Sequence, residues 1–157
     1  MPSDINGDLF TKTLGALLEE TFVDVKGIYL DRKTSLAETL SSISAEQASR
    51  RITDGGTTIA GHVAHVRFYF DVLKRYMDGA LNEKIDWKQS WLVKEVSESE
   101  WDTLRRQLAD DYADLRNRLA EIKDWNDEKC LSGALAIIVH TAYHLGAIRQ
   151  ILRVVKS

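Results

Sequence analysis

The sequence nearly lacks proline: Pro2 is the only one, and none follows from residue 3 onward. Proline interrupts helices because it has no backbone N–H and clashes with the preceding turn. Its absence favours long, uninterrupted helices. No segment shows the strict alternation of apolar and polar residues that is typical of a half-buried strand. We therefore predict an all-α protein.

Cysteine is almost absent too, since Cys130 is the only one. A single cysteine excludes an intrachain disulfide and a zinc–thiolate cluster within one chain. Residues 1–7 lack a basic segment followed by an apolar one, so we expect no signal peptide. Uninterrupted apolar runs are far shorter than the ~18 residues that cross a bilayer. These features predict a cytoplasmic protein without a membrane partner.

The charge is close to balanced, with a net value of −3 and both signs interspersed along the chain. No basic stripe is present, so we expect no nucleic-acid partner. The 157 residues fit one domain, 1–157.

Apolar residues recur at helical spacing through most of the chain. Four long amphipathic segments predict a four-helix bundle, a fold that builds metal and cofactor sites from side chains on facing helices. The predicted principal helices span about residues 8–25, 58–77, 97–122 and 128–155, with Ser97 or Ser99 at the start of the third.

Two segments between these helices have features of their own. Thr34 or Ser35 is placed to cap a short extra helix, and Ser44 with Gln47 resembles a further capping box. Residues 81–97 form a long connection between principal helices two and three, and a connection of that length usually carries structure or function.

The chain has four histidines, in two clusters: His62 with His65, and His140 with His144. Residues four apart share a helix face, and His144 falls on the same face as Ile137, so this pair should point into the bundle. A buried, unpaired polar group costs roughly 1–3 kcal/mol, which a metal ion would relieve. A third histidine from the other cluster would leave one coordination position open, as in catalytic zinc sites. The alternative is that all four are hydrogen-bonded core residues.

The stretches TIAGHVAHV at 58–66 and HTAYHLGAIRQ at 140–150 resemble the DinB/YfiT-like family of metal-binding four-helix bundles. The resemblance covers most of the chain, with Ala147 standing where the family often has glutamine. It implies a divalent metal, zinc or nickel, held by His65, His140 and His144. It also implies a homodimer, and a small-molecule substrate or low-molecular-weight thiol as the partner.

Helical periodicity and this resemblance disagree about the second helix. Periodicity places His62 nearer the apolar stripe, whereas the motif selects His65. We take His65 as the ligand and keep His62 as an alternative ligand or a supporting neighbour.

The leading functional hypothesis is a metal-dependent enzyme, either a thiol-dependent S-transferase or a hydrolase, acting on a small electrophile. The alternatives are a non-catalytic metal- or ligand-binding module and a purely structural bundle. The motifs HExxH, GxSxG, GxGxxG and the P-loop are all missing, so we assign no catalytic residue.

Several residues near the histidines are further candidates. Arg149, which follows His144 together with Gln150, could anchor an anionic group, although an ordinary ion pair is the simpler interpretation. Trp87 and Trp91 could form walls of a pocket or simply pin the connection to the bundle. The position of Tyr143 beside His144 makes it a flanking candidate, and Cys130 is expected to be a buried structural thiol.

Overall fold

The computed structural model describes residues 6–157, so Pro2 and most of the segment used for the signal-peptide prediction lie outside the described residues. The described part is all-helical and contains no strand, which confirms the predicted class. Its helices are α1 (Gly7–Phe22), α2 (Leu36–Leu40), α3 (Ala45–Ser49), α4 (Ile59–Met77), α5 (Glu98–Glu121) and α6 (Glu128–Val155), with a 3₁₀-helix at Trp87–Trp91 between α4 and α5.

The helix starts follow from side chains that the sequence places at their caps. Thr58 accepts the backbone N–H of Gly61 at the start of α4, and Ser97 forms a capping box with Glu100 at the start of α5. Such caps pair backbone N–H groups that have no partner within the helix. The predicted starts of these two helices therefore agree with the structure.

Helix α1 ends at Phe22, three residues before the predicted end. The cause is Glu20, a fully buried carboxylate that accepts the backbone N–H groups of Lys26, Ile28, Tyr29 and Leu30 at 2.6–3.0 Å. The chain must turn back around this carboxylate, and Gly27 takes a positive φ of 85° in that turn. Burial by itself would raise the pKa of Glu20, but the four N–H donors outweigh it and lower the pKa to about 2.

Residues 34–49 contain two short helices where the sequence predicted one. Ser35 forms a capping box with Glu38 and starts α2, and Ser44 forms one with Gln47 and starts α3. The second capping box begins a new helix because the Ser44 backbone is extended.

The four long helices all contribute residues to one apolar core. α4 packs against α5 and α6, and α1 packs against the same two helices. Trp101, near the start of α5, is fully buried in this core, and its indole N–H donates to the Ile43 carbonyl at 2.7 Å. The 3₁₀-helix packs on α4, which brings the middle of the long connection against the histidine-bearing helices.

By length and composition, α6 is one helix in the described part that could cross a membrane. Its overall hydropathy meets that test even though its uninterrupted apolar runs are short. Ile137, Leu145 and Ile148 of α6 are buried in the core of the fold, and a core helix of a soluble protein meets the same criteria. The cytoplasmic location and the assignment to one domain both stay predictions.

Candidate metal centre

The packing of α4 on α6 brings the two histidine clusters together. His65, His140 and His144 each offer one ring nitrogen, and these three atoms lie within 4.8 Å of one another. His65 is 7% exposed and His144 4% exposed, while His140 is half-buried. The structure therefore places together the three residues selected by the sequence, while their role as metal ligands stays a prediction.

The spacing within this three-histidine cluster suits a small cation. His140 Nε2 lies 3.1 Å from His65 Nε2 and 3.1 Å from His144 Nε2. Two nitrogens bound tetrahedrally to zinc at about 2.0–2.1 Å would lie roughly 3.3 Å apart. These two separations are close to this value, and the third pair of nitrogens lies within 4.8 Å, which suits a shared ion.

Ser90, on the 3₁₀-helix, fixes the proton of His65. Its hydroxyl donates its only hydrogen to the Trp87 carbonyl at 2.6 Å. The hydroxyl oxygen, 2.8 Å from His65 Nδ1, must therefore accept the Nδ1–H. The Nε2 atom of a neutral His65 then has a free lone pair directed at the cluster.

Protons alone cannot give the cluster two straight hydrogen bonds. His65 Nε2 is unprotonated, and His140 Nε2 contacts both other nitrogens. A proton on His140 Nε2 can point straight at only one of its two neighbours, and a proton on His144 Nε2 leaves the His65–His140 contact as two facing lone pairs. A cation at the centre would accept all three lone pairs, which makes the donor set fit a metal ion.

The cluster is uncharged at neutral pH. Burial, reinforced by the neighbouring imidazoles, lowers the pKa of His144 to about 3 and that of His140 to about 4. Burial also lowers the pKa of His65. All three residues are thus in the neutral form that binds metals.

His62 lies next to the cluster but contributes no nitrogen to it. Its Nδ1 is 2.9 Å from Nδ1 of His144, on the opposite side of that ring from Nε2. Burial and the nearby His65 lower the pKa of His62 to about 4. The structure therefore separates His62 from the three converging nitrogens and makes it a neighbour of His144.

Aromatic rings enclose the cluster. Trp91 stacks on His65 with ring centroids 4.0 Å apart, and Tyr69 stacks on His140 at 3.5 Å. Trp87 lies 5.8 Å from Tyr69 and is 43% exposed, which places it at the rim. Trp91 therefore lies against a candidate ligand, where it can form a wall of the site. Trp87 contacts Tyr69, one residue further from the cluster.

Two residues at the site were not selected from the sequence. Tyr69 follows His65 by four residues and so shares its helix face, a signal that was available. Ser90 carried no such signal, because its contact with His65 depends on how the long connection packs.

The remaining sequence candidates lie elsewhere or face solvent. Arg149 donates to Thr39 Oγ1 of α2 at 3.2 Å, so its guanidinium supports the packing of α2. Tyr143 is 73% exposed, with its ring perpendicular to that of His144 and the two centroids 5.1 Å apart, and Gln150 is exposed. Cys130 is half-buried, and burial raises the pKa of its thiol, which disfavours the reactive thiolate.

The fold and the site together define an all-helical protein with a three-histidine cluster of metal-binding geometry. Comparison with family models is in agreement: the chain matches the DinB superfamily over residues 30–148, which include all four histidines. The chain belongs to the DinB superfamily. Comparisons with curated proteins and with solved structures find no match.

Proposed function

We propose that this protein binds one divalent metal ion through His65, His140 and His144. The observation that carries the proposal is the convergence of three neutral Nε2 atoms whose two close contacts cannot both be straight hydrogen bonds. Membership of the DinB superfamily supports it, as does the packing of α4 on α6. Zinc and nickel are the ions we propose, since imidazole suits both.

The ion would give the site its chemistry. Three neutral imidazoles would leave its charge uncompensated, so that when bound it would lower the pKa of a thiol or water in its open coordination position. The residues around it have separate tasks. Ser90 orients His65, while Trp91 and Tyr69 cover the flat faces of two imidazoles and keep water away from them.

The reaction that we propose is thiol-dependent S-transfer or hydrolysis of a small electrophile in the cytoplasm. The partner would be a low-molecular-weight thiol or the small-molecule substrate, with no part for nucleic acid or membrane. None of the described residues at the cluster is a carboxylate, so we assign no general acid or base.

We also propose a homodimer. Leu135, Val139 and Tyr143 form an exposed apolar row along α6, each at least 43% exposed. Analytical ultracentrifugation tests this directly: a dimer that dissociates on replacing Val139 with glutamate supports the proposal, and a monomeric wild type contradicts it.

Calorimetric titration of metal-stripped, tag-free protein with zinc and with nickel tests the site. We expect one ion per chain for the wild type and loss of binding in His65→Ala, His140→Ala and His144→Ala. Circular dichroism checks that each variant keeps its helices. Unchanged binding in a well-folded His144→Ala variant would sink the proposal.

The second candidate is a non-catalytic metal-binding module. It is favoured by the close aromatic stacking on His65 and His140, which leaves little free space beside two of the three ligands. Cobalt-substituted protein distinguishes the two: a visible spectrum that changes on adding a small thiol indicates an exchangeable position and favours the enzyme. A spectrum that does not change on adding a thiol favours the non-catalytic module.

A further inference from the structure

His62 is a polar residue in contact with His144 for which the proposed metal centre gives no task. It lies in the first turn of α4 and is half-buried. Its closest polar contact is His144 Nδ1, at 2.9 Å. A contact of that length between two ring nitrogens is a hydrogen bond in which one nitrogen donates and the other accepts.

The direction of this hydrogen bond follows from the other side of the His144 ring. His144 Nε2 faces the cluster, 3.1 Å from His140 Nε2. If Nε2 is to bind an ion it must be free of a proton, so the ring proton of neutral His144 has to be on Nδ1. His62 Nδ1 then accepts a hydrogen bond from the Nδ1–H of His144, and the proton of the His62 ring is on Nε2.

The same arrangement recurs at His65, where Ser90 accepts from Nδ1. Trp91 contacts both histidines of α4. It stacks on His65, and it stands edge-on to His62 with the ring centroids 5.5 Å apart and the planes at 86°. His140 differs from both, since its buried Nδ1 has no hydrogen-bond partner among the described residues. Two of the three candidate ligands thus have a dedicated acceptor on Nδ1.

We propose that His62 is a positioning residue: it accepts the Nδ1–H of His144 and so holds the Nε2 lone pair of His144 toward the metal. It is not itself a ligand. This inference rests on the proposed metal centre, and it adds to the three-histidine motif a fourth histidine with a separate task. Partners of this kind typically contribute 10- to 100-fold in metal affinity.

Two variants separate this role from general packing. His62→Ala removes the acceptor, whereas His62→Gln keeps a carbonyl oxygen that can accept from His144. We expect zinc affinity to fall about 10- to 100-fold in the alanine variant, with one ion still bound per chain, and to recover most of this loss in the glutamine variant. Equal affinity of the wild type and a folded alanine variant would overturn the proposal.

A second readout does not need the metal. Long-range ¹⁵N–¹H spectra of the metal-free protein, at a pH where the imidazoles are neutral, report which nitrogen of each ring carries the proton. We expect the Nδ1–H form for His144 in the wild type and the glutamine variant, and a mixture of both forms in the alanine variant. An Nε2–H form of His144 in the wild type would refute the inference.

The two readouts keep the inference distinct from the metal centre. If zinc fails to bind the wild type, the metal centre is wrong, whereas the spectra still show whether His62 sets the proton position on His144. If zinc binds but the alanine variant loses it completely while the glutamine variant also fails, His62 is a ligand and the positioning role is wrong.

Discussion

Replacing Ser90 with alanine tests how strongly the site depends on a residue outside the histidine cluster. Ser90 is 3% exposed and accepts from His65 Nδ1 at 2.8 Å. Without it, His65 either keeps an unpaired buried N–H, at a cost of roughly 1–3 kcal/mol, or moves its proton to Nε2. In the second case the nitrogen that faces the cluster loses its lone pair, and the proton must return to Nδ1 before a metal can bind.

Either outcome weakens metal binding, the first because the His65 ring loses the hydrogen bond that orients it and the second because Nε2 carries a proton. We expect the affinity for zinc to fall about 10- to 100-fold, which equals roughly 1.4–2.7 kcal/mol of binding free energy. Competition with a chelator of known zinc affinity measures the change. Ser132→Ala is a matched control, because Ser132 is exposed and donates only to carbonyls of its own helix α6. A Ser90→Ala affinity within twofold of that control would refute the reasoning.

Three further predictions concern stability. Free zinc at about 100 times its dissociation constant should raise the melting temperature by roughly 5–10 °C, as measured by calorimetry; a similar rise in His144→Ala would contradict the assigned site. Since the pKa of Glu20 lies below its ordinary value, at about 2, its stabilising effect should be complete above pH 4.5 and fade as the pH falls toward 2. Urea titrations of Glu20→Gln should show a lower free energy of unfolding that no longer falls over this pH range because of residue 20. The same pH profile in the variant and the wild type would argue against this role. Trp101→Phe leaves the Ile43 carbonyl without its donor, so the free energy of unfolding, measured with urea, should drop by roughly 1–3 kcal/mol. A loss below about 0.5 kcal/mol would show that this hydrogen bond contributes little.

Local features of the sequence were sufficient for the helix class and for several helix ends. Thr58 and Ser97 cap the helices that follow them because a cap needs only the next three residues. The premature end of α1 could not be foreseen in this way. It depends on Glu20, a charged residue that periodic patterns assign to solvent, and on backbone N–H groups as far as Leu30 in the following turn.

The candidate site was likewise predictable only where it depends on residues close together in the sequence. His140 and His144 are one helical turn apart, so their common face was predictable. His62 and His65 differ by about 300° at roughly 100° per residue, so their directions are only about 60° apart and both lie near the apolar stripe. Only the packing of α4 on α6 shows that His65 joins the cluster and His62 contacts His144 instead.

Metal content per chain is the measurement that tests the central claim most directly. It should be determined by mass spectrometry on protein purified without a histidine tag or a metal column, alongside His144→Ala purified in the same way. The account predicts close to one divalent ion per wild-type chain and almost none in the variant. A wild type that holds no ion, even after soaking in zinc and in nickel, would contradict the metal centre and return the histidines to a packing role.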